Sequence, residues 1–350
     1  GSLVSGPLGG VLADQFGAKP TLVAGMAATA TSLVALAYAR SPWTLLLGAF
    51  VVGVVNNATR PAFNTLISDV IPPADQMRAY SLNFWAINLG YSVAMLSVGL
   101  VSITGYTALF WLNGATTMIS ALVIATRVAG ARPAAPPPDT AGRQGLGTVL
   151  RDRPFVAFVV AAFLVLMILS QADSGLPIAM GYEGFSPGEV GRLLALNGIV
   201  IATMQLPLTR LYKRYPQSWV LAGSSALIGI GYSTLLFGHS AWIYGLSIVV
   251  WSLGEIGNTP TSIALVARIA PTHLRGRYHG VYQVAWTGSS VLAPLIGGWV
   301  IHTWGATPLW SGCLIVGVAT AAAQLRIGTR LHRRAEAAVP VRPEPEAASA

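Results

Sequence analysis

The chain has one cysteine, Cys313, and two lysines, Lys19 and Lys213, among 350 residues. A single cysteine excludes a disulfide framework and any site built on several cysteines. Charged residues make up 9%, where soluble domains carry about 25%. So few charges cannot clothe a water-facing surface. A disordered chain is excluded as well, because disorder needs low hydrophobicity and high charge. The five histidines, at 239, 273, 279, 302 and 332, fall at the ends of hydrophobic stretches, in loops or near the C-terminus. Neither H-E-x-x-H nor G-x-S-x-G occurs. Without a zinc motif or a nucleophile with its base, an enzyme is not expected, and neither is a metal or cofactor.

Apolar residues are what the chain has. They make up 53%, or about 61% with tyrosine set aside and glycine counted, against about 45–50% in soluble domains. The solvent for most of the chain is therefore lipid. A spanning helix needs about 20 mostly apolar residues. Ten stretches qualify: 20–39, 43–68, 80–103, 107–126, 154–178, 189–209, 218–237, 241–268, 279–301 and 308–327. Residues 1–13 are too short to span and read as the end of a helix. The breaks carry turn signals, among them Arg40-Ser41-Pro42, Pro72-Pro73-Ala74-Asp75, Thr104-Gly105-Tyr106 and Gly238-His239-Ser240. Residues 129–153 read as a Pro-, Gly- and Arg-rich linker, and 329–350 as a disordered polar tail. The expected domains are thus 1–128, the linker, 154–328 and the tail.

In a soluble protein a net charge of +9 would point to nucleic acid. Here the basic residues sort by side. Alternate connections hold Lys19, then Arg78, then Arg127, Arg132, Arg143, Arg151 and Arg153. Next come Arg210, Lys213 and Arg214, then Arg268, Arg275 and Arg277, and finally Arg326, Arg330, Arg333, Arg334 and Arg342. The other side holds Arg40 and Arg192, and Arg60 lies inside a stretch. Positive charge collects on the cytoplasmic side. The linker and C-terminus are therefore expected in the cytoplasm, in a multi-pass protein of the cell (inner) membrane. The lipid bilayer is the expected partner, and nucleic acid is not.

The chain also repeats itself. A gapless offset of 199 matches Pro61 to Pro260, Leu66 to Leu265, Pro72 to Pro271, Arg78 to Arg277, Ala94 to Ala293 and Gly99 to Gly298. Two repeated halves around a linker are a transporter architecture.

Residues Gly10-Val11-Leu12-Ala13-Asp14-Gln15-Phe16-Gly17-Ala18-Lys19 resemble the signature loop of the major facilitator superfamily, G-x-L-a-D-r-x-G-r-k. The run Arg60-Pro61-Ala62 with Asp69, Pro72 and Arg78 is similar to its multidrug-efflux branch. The resemblance covers about residues 1–328. It implies an all-α membrane protein with two pseudo-symmetric six-helix halves, about eleven helices being present. The first helix and most of the second would then precede Gly1. Two departures stand out: Ala94-Met95 replaces the Gly-Pro of the efflux motif, and Ala49 stands where a helix-4 arginine is usual. The resemblance also implies a conformational latch of Gly10, Asp14, Gly17, Lys19 and Arg78. In it, Asp14 engages a loop arginine and the start of the stretch near His279–Gln283.

Ionisable groups inside spanning helices are costly and mark functional sites. Glu255 lies near the middle of 241–268, and Asn56, near the middle of 43–68, is its match at the 199 offset. Arg60, one helical turn from Asn56, matches Thr259. The resemblance would place these four around one central cavity, as a site for a small-molecule substrate and for protons. A fixed Arg60–Glu255 pair is the bland alternative. Asp173 lies roughly 27 Å along its helix at 1.5 Å per residue, near the outer surface. There it would be an interfacial carboxylate, an outer gate or a proton inlet. The expected function is a monomeric secondary transporter that exports small hydrophobic compounds against protons. A metabolite or sugar facilitator or symporter, and an inactive truncated remnant, are the alternatives.

Overall fold

The computed structural model describes residues 2–97, 101–128 and 145–337. Thirteen α-helices carry the described fold: α1 Ser2–Phe16, α2 Ala18–Leu36, α3 Pro42–Val70, α4 Pro73–Ser97, α5 Val101–Arg127, α6 Leu146–Leu150, α7 Arg153–Leu169, α8 Gly175–Tyr182, α9 Pro187–Tyr212, α10 Gln217–Ser233, α11 Ala241–Ile269, α12 Arg275–Trp304 and α13 Ala306–Ala337. A short 3₁₀ turn, Ser170–Asp173, joins α7 to α8. An apolar medium offers backbone groups no water, so they pair within helices. Caps start several of them. Ser41 accepts from the Thr44 N–H, and Ser186 from the Glu189 N–H, each in a reciprocal capping box with a proline following.

Among the described residues, eight helices are long and apolar enough to cross a membrane, α7 and α8 counting as one. Helices α4 and α11 fall outside that set. In α11 the polar residues Ser252, Glu255, Asn258 and Thr259 lower the hydropathy.

The helices form two bundles, α1–α5 and α7–α13, whose main seams are α1 against α12 and α4 against α9. The second bundle has the larger core. In it the Tyr232 ring stacks at 5.8 Å on both Trp251 and Trp310. The first bundle's core is small: Ala13, Ala18, Leu22, Ala62 and Leu66. The end of α5, with Ile124 and the following Val128, packs beside Ala13 and Ala18, and α6 packs Val149 beside Leu274 and Tyr278 at the start of α12, the same end of the molecule. That end is called the linker face. Trp43, Trp242 and Trp304 sit exposed at the opposite, far end.

Three expectations are corrected. Thr104-Gly105-Tyr106 is no turn but part of α5; one glycine costs a helix only about 1 kcal/mol, less than leaving backbone groups unpaired in lipid. The last part of the linker folds into α6, because Val149 finds full burial against the second bundle. Residues 329–337 continue α13 rather than starting a disordered tail; the rest of that tail lies outside the described residues.

Candidate functional site

Asp14 closes the linker face. It stands in the last turn of α1, just before Gly17, whose φ of 95° ends the helix. Its carboxylate accepts the N–H groups of Gly276, at 2.6 Å, and Arg277, at 3.1 Å. It also accepts from the Arg277 guanidinium at 3.0 Å. These N–H groups open α12, where a helix is partly positive. Both side chains are buried, Asp14 to 3% and Arg277 to 8% exposure. Burial pushes the Asp14 carboxyl up to about 6, against the lowering by the two N–H groups and the Arg277 charge, so it remains mostly ionised at neutral pH.

Small residues let the two helices approach this closely. On α1, Gly6 and Gly10 are one turn apart; on α12, Gly276 and Gly280 are too. A Cβ on Gly10 would collide with the Gly276 carbonyl, and one on Gly280 would meet the Gly6 carbonyl at 3.0 Å. Reciprocal small-x-x-x-small pairs are how membrane helices bring backbones together.

Two further ion pairs join the bundles at this face. Arg275 donates to Asp69 at 2.6 Å and to the Ser68 carbonyl at 3.2 Å. Lys213 meets Asp75 at 3.4 Å. In all three ties the first bundle supplies the carboxylate and the second the cation. Apolar packing closes the seam behind them, with Met77 and Tyr80 of α4 buried against Ala264 and Ala267 of α11.

The expected latch partner is therefore corrected. Arg78 is exposed and joins none of the four ion pairs among the described residues. Its repeat counterpart Arg277 takes the role, because α12 and not α4 packs against α1. The backbone contact falls at Gly276 and Arg277 rather than at His279–Gln283. Lys19, half-buried at the start of α2, also joins none of these pairs.

A second constellation lies away from that face. Glu255 is half-buried on α11 and accepts from Asn197 of α9 at 3.0 Å. The same Asn197 Nδ2 donates to Ser252 Oγ at 2.9 Å. Asp173 is exposed in the turn between α7 and α8. Asn56 and Arg60 are exposed on α3, and Thr259 is buried with its hydroxyl unpartnered. Arg60 forms no ion pair with Glu255 among the described residues. The fixed Arg60–Glu255 pair is therefore absent, and the carboxylate answers to a neutral donor.

Asn197, Arg277, Arg275 and Lys213 are absent from the set read from sequence. Two signals point to them: Asn197 is one of two amides, with Gln205, in the apolar stretch 189–209, and Arg277 is the repeat image of Arg78.

A family model described as the Major Facilitator Superfamily matches residues 1–294 and 174–348. A Planococcus maritimus Na(+), Li(+), K(+)/H(+) antiporter is 24% identical over 337 residues, which cover 84% of this chain and 77% of the antiporter. The multidrug resistance protein MdtH of Yersinia pestis is 28% identical over 309 residues, covering 85% of this chain and 74% of MdtH. Among solved structures, the human organic anion transporter MFSD10 superposes with a TM-score of 0.74 at 18% identity, covering 94% of this chain and 80% of that one. The E. coli fucose:proton symporter FucP gives 0.76 at 14% identity, covering 94% and 87%.

Proposed function

This chain belongs to the major facilitator superfamily, and we propose that it exports small hydrophobic compounds in exchange for protons by alternating access. It works as a monomer in the cell membrane, with the linker face in the cytoplasm, where 18 of its 21 basic residues sort by the positive-inside rule. The reading draws on the multidrug and cation/proton antiporter relatives. The observation that carries it is the separation of the two constellations. Every ion pair between the bundles among the described residues lies at the linker face, while Glu255 lies off that face and joins none of them.

The mechanism follows from that separation. With the linker face latched, the site opens to the far end only, so substrate leaves and a proton enters there. Asn56, Arg60, Thr259, Asp173 and Glu255 form the substrate and proton pathway. Protonation of Glu255 removes a buried charge, which lowers the cost of closing that end. The latch of Gly10, Asp14, Gly17 and Lys19, with Arg277 in the role expected of Arg78, must then part. At the cytoplasmic side the proton leaves and substrate binds in its place, which resets the cycle.

The test uses ethidium as a probe in inside-out vesicles with an imposed pH gradient. Glu255→Gln should abolish gradient-driven accumulation and retain ethidium exchange, because binding does not require the charge. Unchanged accumulation would remove Glu255 from the mechanism and leave Asp173 as the carboxylate to examine.

A further inference from the structure

Asn197 has a fixed orientation, and the reason is chemical. Ser252 donates its only hydroxyl proton to the Ile248 carbonyl at 2.6 Å. Its oxygen can therefore only accept from Asn197, so the Asn197 group facing α11 is the NH₂ and not the carbonyl. An amide NH₂ has two hydrogens. One goes to Ser252 at 2.9 Å and the other to Glu255 Oε2 at 3.0 Å. Ser252 is fully buried, so the anchor is rigid and the amide cannot turn its oxygen toward the carboxylate without stranding the serine.

We infer that Asn197 is a positioning residue for proton release: held by Ser252, it presents a permanent donor to Glu255 and favours the ionised carboxylate. The inference rests on Glu255 being the coupling carboxylate. A hydrogen bond to the charged form of an acid favours that form. Among the described residues, no other donor reaches the Glu255 carboxylate. From the α7–α8 turn, Asp173 acts on Glu255 by like charge, and from α10 Tyr232 lies within range of both carboxylates. From α4, Phe84 packs beside Ile256 and contributes no charge. Without Asn197 the carboxyl would keep its burial and the neighbouring Asp173, which oppose ionisation, and lose the donor that favours it. Glu255 would bind its proton readily and give it up with difficulty. The donor thus acts at the step that antiport needs twice per cycle, once in each direction.

The test reads Glu255 directly. The purified full chain in lipid nanodiscs is titrated by infrared difference spectroscopy, and the protonated-carboxyl band that vanishes in Glu255→Gln is assigned to Glu255. In Asn197→Leu, which is close in volume, that band should persist to a pH about one unit or more higher. In Ser252→Ala, which keeps the amide but loosens it, the midpoint should move the same way by less; this variant decides the matter if Asn197→Leu does not fold. Asp173→Asn combined with Asn197→Leu should retain the displacement, which excludes an indirect effect through Asp173. A midpoint that stays in place while thermal stability falls would make Asn197 merely structural and overturn the inference. So would the absence of any titrating band that depends on Glu255. Ethidium accumulation in the Glu255→Gln vesicles separates the two claims. Intact accumulation sinks the coupling role of Glu255, whereas lost accumulation with an unmoved midpoint sinks only the role of Asn197.

Discussion

Helices α3 and α11 lie 199 residues apart and share a frame. Each runs 29 residues, begins after a serine and carries a proline at the matching position, Pro61 or Pro260. Six residues of α3 are buried and eighteen of α11. The buried part of α3 is confined to Thr59–Ser68, toward the linker face, whereas α11 is covered along its length. At the equivalent site α3 offers an exposed Asn56, and α11 offers Glu255 held by Asn197. The repeat therefore preserves helix length and proline position, though Ser41 caps α3 through its side chain and Ser240 does not cap α11, while neighbouring helices decide the chemistry. The seams differ in the same manner. Asp14 and Lys213 are also 199 apart, and each ends its helix facing the start of a helix from the other bundle. Asp14 finds buried N–H groups and a guanidinium. Lys213 finds Asp75 in an exposed pair, with side chains 33% and 59% open.

The sharpest way to break this asymmetry is steric. Gly10→Leu or Gly276→Leu puts a side chain into the facing backbone and should abolish transport, with cysteines at the linker face becoming permanently reactive. Gly223→Ala, which meets nothing within 4 Å, should behave as the parent. If the leucine variants transport normally, the close approach of α1 and α12 is dispensable.

The next contrast is between the two seams. Losing one partner of a buried ion pair costs about 3–5 kcal/mol, and an exposed pair is worth about 0–1 kcal/mol. Asp14→Asn should slow ethidium transport at least tenfold at unchanged membrane abundance, and Lys213→Gln less than twofold. Equal effects would mean that the seams work symmetrically. Arg277→Gln should resemble Asp14→Asn, and Arg78→Gln should not.

A smaller effect is expected at the paired sites on α3 and α11. Asn56→Ala should raise the KM for ethidium a few-fold and leave its pH dependence in place, whereas Glu255→Gln removes the driven reaction. A pH profile displaced by Asn56→Ala would bring the first bundle into the proton pathway. The last prediction alters no rate. Cysteines at Ala141, in the linker outside the described residues, and at Gly188, exposed at the far end, should react with an impermeant thiol reagent from opposite sides. Native Cys313 is buried and should stay silent. Labelling from one side would overturn the orientation.

Composition and local pattern set the medium, the helices and the repeat. Apolar length sets a span, because backbone groups in lipid pair within their own helix. That is a local requirement, so α3 and α9 lie where the hydropathy puts them. The signature around Asp14 and the lone carboxylate Glu255 were legible for similar reasons, the first as a contiguous pattern and the second as a costly charge. Where local rules are balanced, backbone pairing in lipid keeps Gly105 helical, and packing of Val149 on the second bundle tips residues 146–150 toward helix. Partner choice was decided only by the tertiary structure. Arg78 and Arg277 are equivalent by repeat, and nothing local separates them. Arg277 meets Asp14 because glycines at 6, 10, 276 and 280 let α1 and α12 close together. Asn197 and Glu255 are 58 residues apart, and they meet because α9 packs on α11. Side chains far apart in sequence are paired by the packing of whole helices, which depends on the shapes of both partners at once.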